Sequence, residues 1–168
     1  MNRRHFLVAA SYVAATVGLA APVLAQGYPD HPVTLVVPFS PGGGTDLLAR
    51  LVSTKLEAAL GAPVVVDNRP GASGAVAGAY VKTQPADGYT LLFGTSSTNA
   101  ISPVLHEDKM GDMLTGLDPV SLIANSALIL AVPSSSPIAD LKSYVEASKE
   151  RPLTYGTFGV GSTPHLLG

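Results

Sequence analysis

Three short apolar runs alternate with two helix-spaced stretches between residues 33 and 94, and this order constrains the fold more than any other feature. Residues 33–39, Val-Thr-Leu-Val-Val-Pro-Phe, form a continuous apolar run of the kind that suits a strand covered on both faces. From Asp46 the apolar residues fall at Leu47, Leu48, Leu51, Val52, Leu56, Ala59 and Leu60. This is helical spacing, and it leaves Ser53, Thr54 and Glu57 for the outer face. Thr45 is placed to cap the helix and Gly61 to end it. Residues 63–67 read as a second buried strand, 68–74 as a turn cluster and 75–82 as an alanine-rich helix. A turn at 86–89 leads into a third strand at 90–94. Strand, helix, strand, helix and strand with connections this short predict an α/β fold, a parallel sheet wrapped by helices.

Beyond residue 100 the periodicity weakens, which suggests a helical turn and irregular chain up to 117. Two further apolar runs, 119–124 and 127–132, and a third segment at 153–156 are expected to be strands. Ile138, Leu141, Val145 and Ser148 mark one side of a helix over 138–149. A second glycine loop at 156–162 runs into a helix beginning near Ser162, hardly a turn and a half from Gly168. A helix so short is marginal without tertiary support. The sequence therefore reads as the front part of a longer protein, with a first segment over 26–118 and a second α/β unit starting at 119.

Residues 1–25 read as a secretory signal. Arg3 and Arg4 form a basic start, an apolar stretch follows, and Val23-Leu24-Ala25 matches a cleavage site before Gln26. The apolar stretch is roughly 15 residues long, short of the ~20 that a membrane-spanning helix needs. The paired arginines fit a twin-arginine export signal and an ordinary basic leader equally well. Cleavage removes Arg3 and Arg4 and no acidic residue, moving the formal charge from −2 to about −4. A weakly acidic chain without a basic cluster argues against nucleic acid as a partner. With no cysteine, neither disulfides nor thiolate chemistry is available, and the scattered histidines at 5, 31, 106 and 165 do not suggest a metal site. No cofactor is implied.

The glycine loops carry the functional signal. Residues 38–46, Pro-Phe-Ser-Pro-Gly-Gly-Gly-Thr-Asp, place three glycines between a strand and a helix start. Glycine is costly to order, so three in a row suggest close approach to the backbone. The first four amides of a helix lack intrahelical acceptors and sit at the positive end of its dipole, so a bare loop there lets an anion reach them. Nucleotide hydrolysis would need a lysine after Gly44, where Thr45 and Asp46 stand instead. The dinucleotide fingerprint fails at Leu47, and no nucleophile elbow is present. Segments 38–45, 94–99 and 156–164 contain no charged side chain, so a pocket walled by them would hold a small anion through amides and hydroxyls. Asp46 has two readings: support for the loop with Arg50 as its partner, or recognition of a ligand ammonium group. Ser162 and His165 are the only residues that suggest an exported hydrolase, and no orienting acid accompanies them.

Four stretches, YPDHPVTLVVPFSPGGGTDLLAR, VVVDNRPGASGAVAGAYV, PADGYTLLFGTSS and LTYGTFGVGSTPHLLG, together resemble the Bug-type solute-binding receptors of tripartite tricarboxylate transporters. The resemblance runs from about Tyr28 to Gly168 and covers about the first half of a typical member. It implies a type II periplasmic-binding-protein fold, two α/β lobes with parallel-type sheets closing on a ligand, the second lobe being incomplete in this chain. It implies an extracytoplasmic, non-catalytic receptor that passes a small carboxylate to membrane transporter subunits. The same fold could instead serve a signalling partner. By position, the first ligand loop is Phe39, Ser40, Pro41, Gly42, Gly43, Gly44, Thr45 and Asp46. The second includes Gly159, Gly161, Ser162, Thr163 and His165, and Thr95, Ser96 and Ser97 line the cleft between them. Members often carry another glycine at Ser73 and a bulkier polar residue near Ala75; neither position is expected in the cleft. Residues 26–168 by themselves are expected to bind weakly or not at all.

Overall fold

The computed structural model describes residues 27–105, 107 and 115–168. The proposed leader and His106 lie outside the described residues. The chain divides into two compact units, Met1–Asp30 and His31–Gly168. Of the first, residues 27–30 are described, an irregular stretch with a cis peptide bond between Tyr28 and Pro29.

The second unit is built on β1 (Val33–Val37), the centre of a three-stranded sheet. Helix α1 (Gly44–Leu60) follows it, then β2 (Val64–Asn68), a 3-10 turn (Ala72–Gly74), α2 (Ala75–Lys82) and β3 (Thr90–Leu92). Both pairings are parallel, in the order β2-β1-β3, with Val33 opposite Val64 and Thr34 opposite Thr90. The expected α/β architecture is present. Alternate residues of β1 point to opposite faces, as its pleat requires. Val33, Leu35 and Val37 pack with Ala49, Leu56 and Leu60 of α1, whereas Val36 packs with Ala77 and Val81 of α2. Covering both faces buries β1 almost completely, and each buried valine stabilises the fold by roughly 1.5–3 kcal/mol relative to an exposed one.

The buried face of α1 differs from the one its leucines suggest. Asp46, Ala49 and Ser53 are buried, while Leu47 and Leu51 are about 60% exposed. Small residues let the helix approach β1, and Ser53 satisfies its hydroxyl on the Arg50 carbonyl at 2.9 Å. Thr45 lies inside the first turn and is not the cap; Gly43 occupies that position with no side-chain bond. Gly61 ends the helix as expected, with φ 68° and its amide donating to the Glu57 carbonyl at 3.0 Å.

After β3 a wide helical turn at Ser97–Ile101 leads into α3 (Ser102–Leu105). The strands expected at 119–124, 127–132 and 153–156 do not form; those residues are irregular. A strand exists by hydrogen bonding to a neighbour, and among the described residues these runs have none. Their apolar side chains stay exposed, Val120 at 84% and Ile129 at 86%. Helix α4 (Leu141–Glu150) starts three residues later than its apolar spacing suggests, at a capping box. The Asp140 carboxylate accepts the Ser143 amide at 2.8 Å and the Ser143 hydroxyl oxygen accepts the Asp140 amide at 3.1 Å. The five-residue helix α5 (Thr163–Leu167) closes the described chain. Among the described residues no helix is long and apolar enough to cross a membrane.

Candidate functional site

From β1 the chain runs to β2 on one side and then crosses to β3 on the other. Parallel sheets open a crevice at such a reversal, beyond the carboxyl ends of the strands. Three connections meet there: the glycine loop after β1, the 70–74 turn after β2 and the segment after β3.

The first loop is shaped by its own polar network. The Asp46 carboxylate, 3% exposed, accepts the Gly42 amide, the Arg50 guanidinium Nε and the Asn68 side-chain amide, each at 2.9 Å. Asn68 also donates to the Phe39 carbonyl at 3.1 Å, so strand β2 holds the loop at both ends. The Arg50 hydrogen bond is the largest influence holding the Asp46 carboxyl at about 2, well below its ordinary 3.8; the Gly42 amide and Asn68 add to it against the opposing effect of burial. Of the two readings of Asp46, the geometry carries loop support, because both carboxylate oxygens are engaged within the protein. Gly42, at φ 85°, makes the turn that only glycine makes freely. Gly43 and Gly44 at the helix start are exposed residues, and their amides have no acceptor among the described residues.

The second glycine loop lies against the 3-10 turn and the segment after β3. Val160's carbonyl accepts the Ser73 hydroxyl at 2.6 Å, and Thr163's amide donates to the Ser97 hydroxyl oxygen at 3.0 Å. Gly161 has a φ of 80°, which favours glycine, and a β-carbon there would also displace the Leu105 side-chain tip, 2.6 Å away. Between the loops is a cavity of about 330 Å³ lined by residues 38–40, 70–74 and 158–160, with no ionisable side chain. Phe39 and Phe158 meet edge to face across it, ring centroids 6.4 Å apart.

Of the residues that the sequence points to, Phe39, Ser40 and Gly159 line this cavity. Pro41, Gly42, Gly43, Gly44 and Thr45 follow in the same loop and are not among its lining residues. Thr95 binds Thr98 locally, while Ser97 and Thr163 are joined to each other. Ser96 is exposed. Ser162 and His165 do not form a dyad. Ser162's hydroxyl donates to the Gly159 carbonyl at 2.7 Å, and His165 Nδ1 accepts the Gly161 amide at 3.2 Å. The sequence reading missed the 70–74 wall and placed Ser73 outside the cleft, whereas Ser73 lines the cavity. The Pro-Gly-Ala-Ser-Gly cluster at a strand's carboxyl end was the available signal. No group of three His, Cys, Asp or Glu residues that could hold a metal occurs among the described residues.

Comparison with known proteins agrees with this architecture. The pattern of the tripartite tricarboxylate transporter family receptor matches residues 48–168. Protein BugT of Bordetella pertussis is 37% identical over 99% of this chain and 52% of its own length. A UPF0065 protein of Bordetella bronchiseptica is 36% identical over 89% of this chain and 48% of its own. The chain thus spans about half the length of the curated relatives it matches. Among solved structures, R. palustris Rpa4515 with adipate superposes with a TM-score of 0.75 at 40% identity, covering 81% of this chain and 46% of that one. A periplasmic transporter structure gives 0.73 at 36% identity, covering 83% and 48%. MatC from Rhodopseudomonas palustris with bound malate gives 0.62 at 28% identity, covering 73% and 42%. The chain belongs to the family of tripartite tricarboxylate transporter receptors.

Proposed function

We propose that the protein is an extracytoplasmic receptor that captures a small carboxylate for a tripartite tricarboxylate-type transporter. The observation that carries this reading is the cavity free of ionisable side chains at the carboxyl end of β1, lined by the start of the loop that runs on through the exposed Gly43 and Gly44 into α1. A carboxylate held there is met by peptide N–H and hydroxyl groups, each charge-assisted bond contributing roughly 1.5–3 kcal/mol. Adipate and malate, the ligands of two structural relatives, are the first candidates. In this reading residues 26–118 form the first lobe, 119–168 begin the second, and residues 1–25 direct export to the periplasm.

The test is a thermal-shift titration of the protein with adipate and malate beside a Gly43→Val variant. Gly43 has φ −79°, and a β-carbon there would meet only the Ser40 carbonyl at 3.7 Å, so the backbone admits a side chain, whose bulk at the helix start is expected to obstruct a ligand. Residues 26–168 alone bind weakly at best, so saturable stabilisation is expected only at millimolar ligand, in the parent and not in the variant. No shift with either acid, or an equal shift in both proteins, would overturn the assignment.

A further inference from the structure

The turn between β2 and α2 holds two non-glycine residues in the left-handed region, Ala72 at φ 44° and Ser73 at φ 52°. Such conformations persist only where the surroundings impose them, and they concentrate at functional positions. Glycine would adopt the Ser73 backbone freely, so what the position gains from serine is a hydroxyl. That hydroxyl is 2.6 Å from the Val160 carbonyl, in a residue 87 positions away in sequence. Behind it, the Ser73 carbonyl accepts the Ser102 hydroxyl at 3.0 Å, which fixes the turn from its other side. The second loop lies directly on this group: a side chain at Gly159 would come within 3.2 Å of Ser73 Oγ. Ser73 is buried, so little solvent competes for its hydrogen bond.

We propose that Ser73 is the positioning residue of the second glycine loop, its hydroxyl pinning Val160 so that Phe158, Gly159 and Val160 close one side of the cavity. The left-handed backbone aims the hydroxyl, and Ser97 fastens the same segment further on through the Thr163 amide. The proposal rests on the receptor reading only for what the cavity holds; the pinning stands on geometry alone.

Amide hydrogen exchange of the ligand-free protein tests it, with Ser73→Ala and Ser73→Gly variants. Both lose the hydroxyl, and the glycine variant also relieves the left-handed backbone. The amides of Gly161, Ser162 and Thr163 are expected to exchange roughly 3- to 10-fold faster in both variants, the factor of one neutral hydrogen bond. The β1 amides are expected to keep the parent rate. Parent-like loop exchange in Ser73→Gly overturns the proposal, because the turn would then act through its backbone. Equal acceleration of loop and β1 amides in both variants overturns it too. Faster loop exchange in a protein that binds neither adipate nor malate upholds the pinning role and counts against the ligand assignment instead.

Discussion

Asp46 is almost fully enclosed, yet it remains charged because three donors surround its carboxylate. Its folded-state value of about 2 lies below the ordinary 3.8 chiefly because of Arg50, followed by Gly42 and Asn68. A depressed carboxyl stabilises the fold fully above about pH 4, and that contribution is lost as pH falls towards 2. The urea midpoint of the parent is therefore expected to fall steeply between pH 4 and pH 2. Asp46→Asn should unfold at lower urea at pH 7, show a flatter profile over that interval, and meet the parent near pH 2. Parallel profiles for the two proteins would show that Asp46 is not the group titrating. The support given by Asp46 to the loop was legible in sequence from the i,i+4 spacing to Arg50. The contribution of Asn68 was not, because it reaches Asp46 and Phe39 from another strand.

At the scale of the element, α1 shows why a helix can be located from sequence more readily than its face. The apolar spacing between 47 and 60 announces a helix, and it forms. That spacing does not settle which side is buried, because a helix lying close over a strand needs small residues at the contact. Ala49, with no exposure, sits over β1, while Leu51 is 60% exposed. Ala49→Leu is thus expected to lower stability by about 1–3 kcal/mol through overpacking. Leu51→Gln should change it by less than about 0.5 kcal/mol. Urea denaturation of the two variants decides the point: a larger loss for Leu51→Gln would mean that the leucine face is the packed one. The same limit applies to strands. Runs 33–37 and 64–68 pair with each other, although 64–68 ends in Asp67 and Asn68, whereas 127–132 is apolar throughout and, like 119–124, stays irregular. Apolar composition provides a reason for burial, but pairing depends on a neighbour that the run itself does not encode.

For the whole molecule, the legible part of the site was its position, set by glycine loops at the carboxyl ends of parallel strands. The illegible part was the wall at 70–74, whose role depends on a loop nearly ninety residues later meeting it. The exposed runs carry a further consequence. Val120, Leu122 and Ile129 are 84%, 77% and 86% exposed, in irregular chain without hydrogen-bonded neighbours among the described residues. Adjacent exposed apolar side chains on unpaired backbone favour association between molecules, because a second chain satisfies both the side chains and the peptide groups. Concentration-dependent light scattering is therefore expected of the protein, and a Val120→Lys/Ile129→Lys double variant should suppress it. Since neither side chain packs into the sheet core, the variant's melting temperature should stay within a few degrees of the parent's. A drop as large as that of a β1 core substitution would mean instead that these runs are buried in solution, in which case lysine removes intramolecular packing and not a surface for self-association.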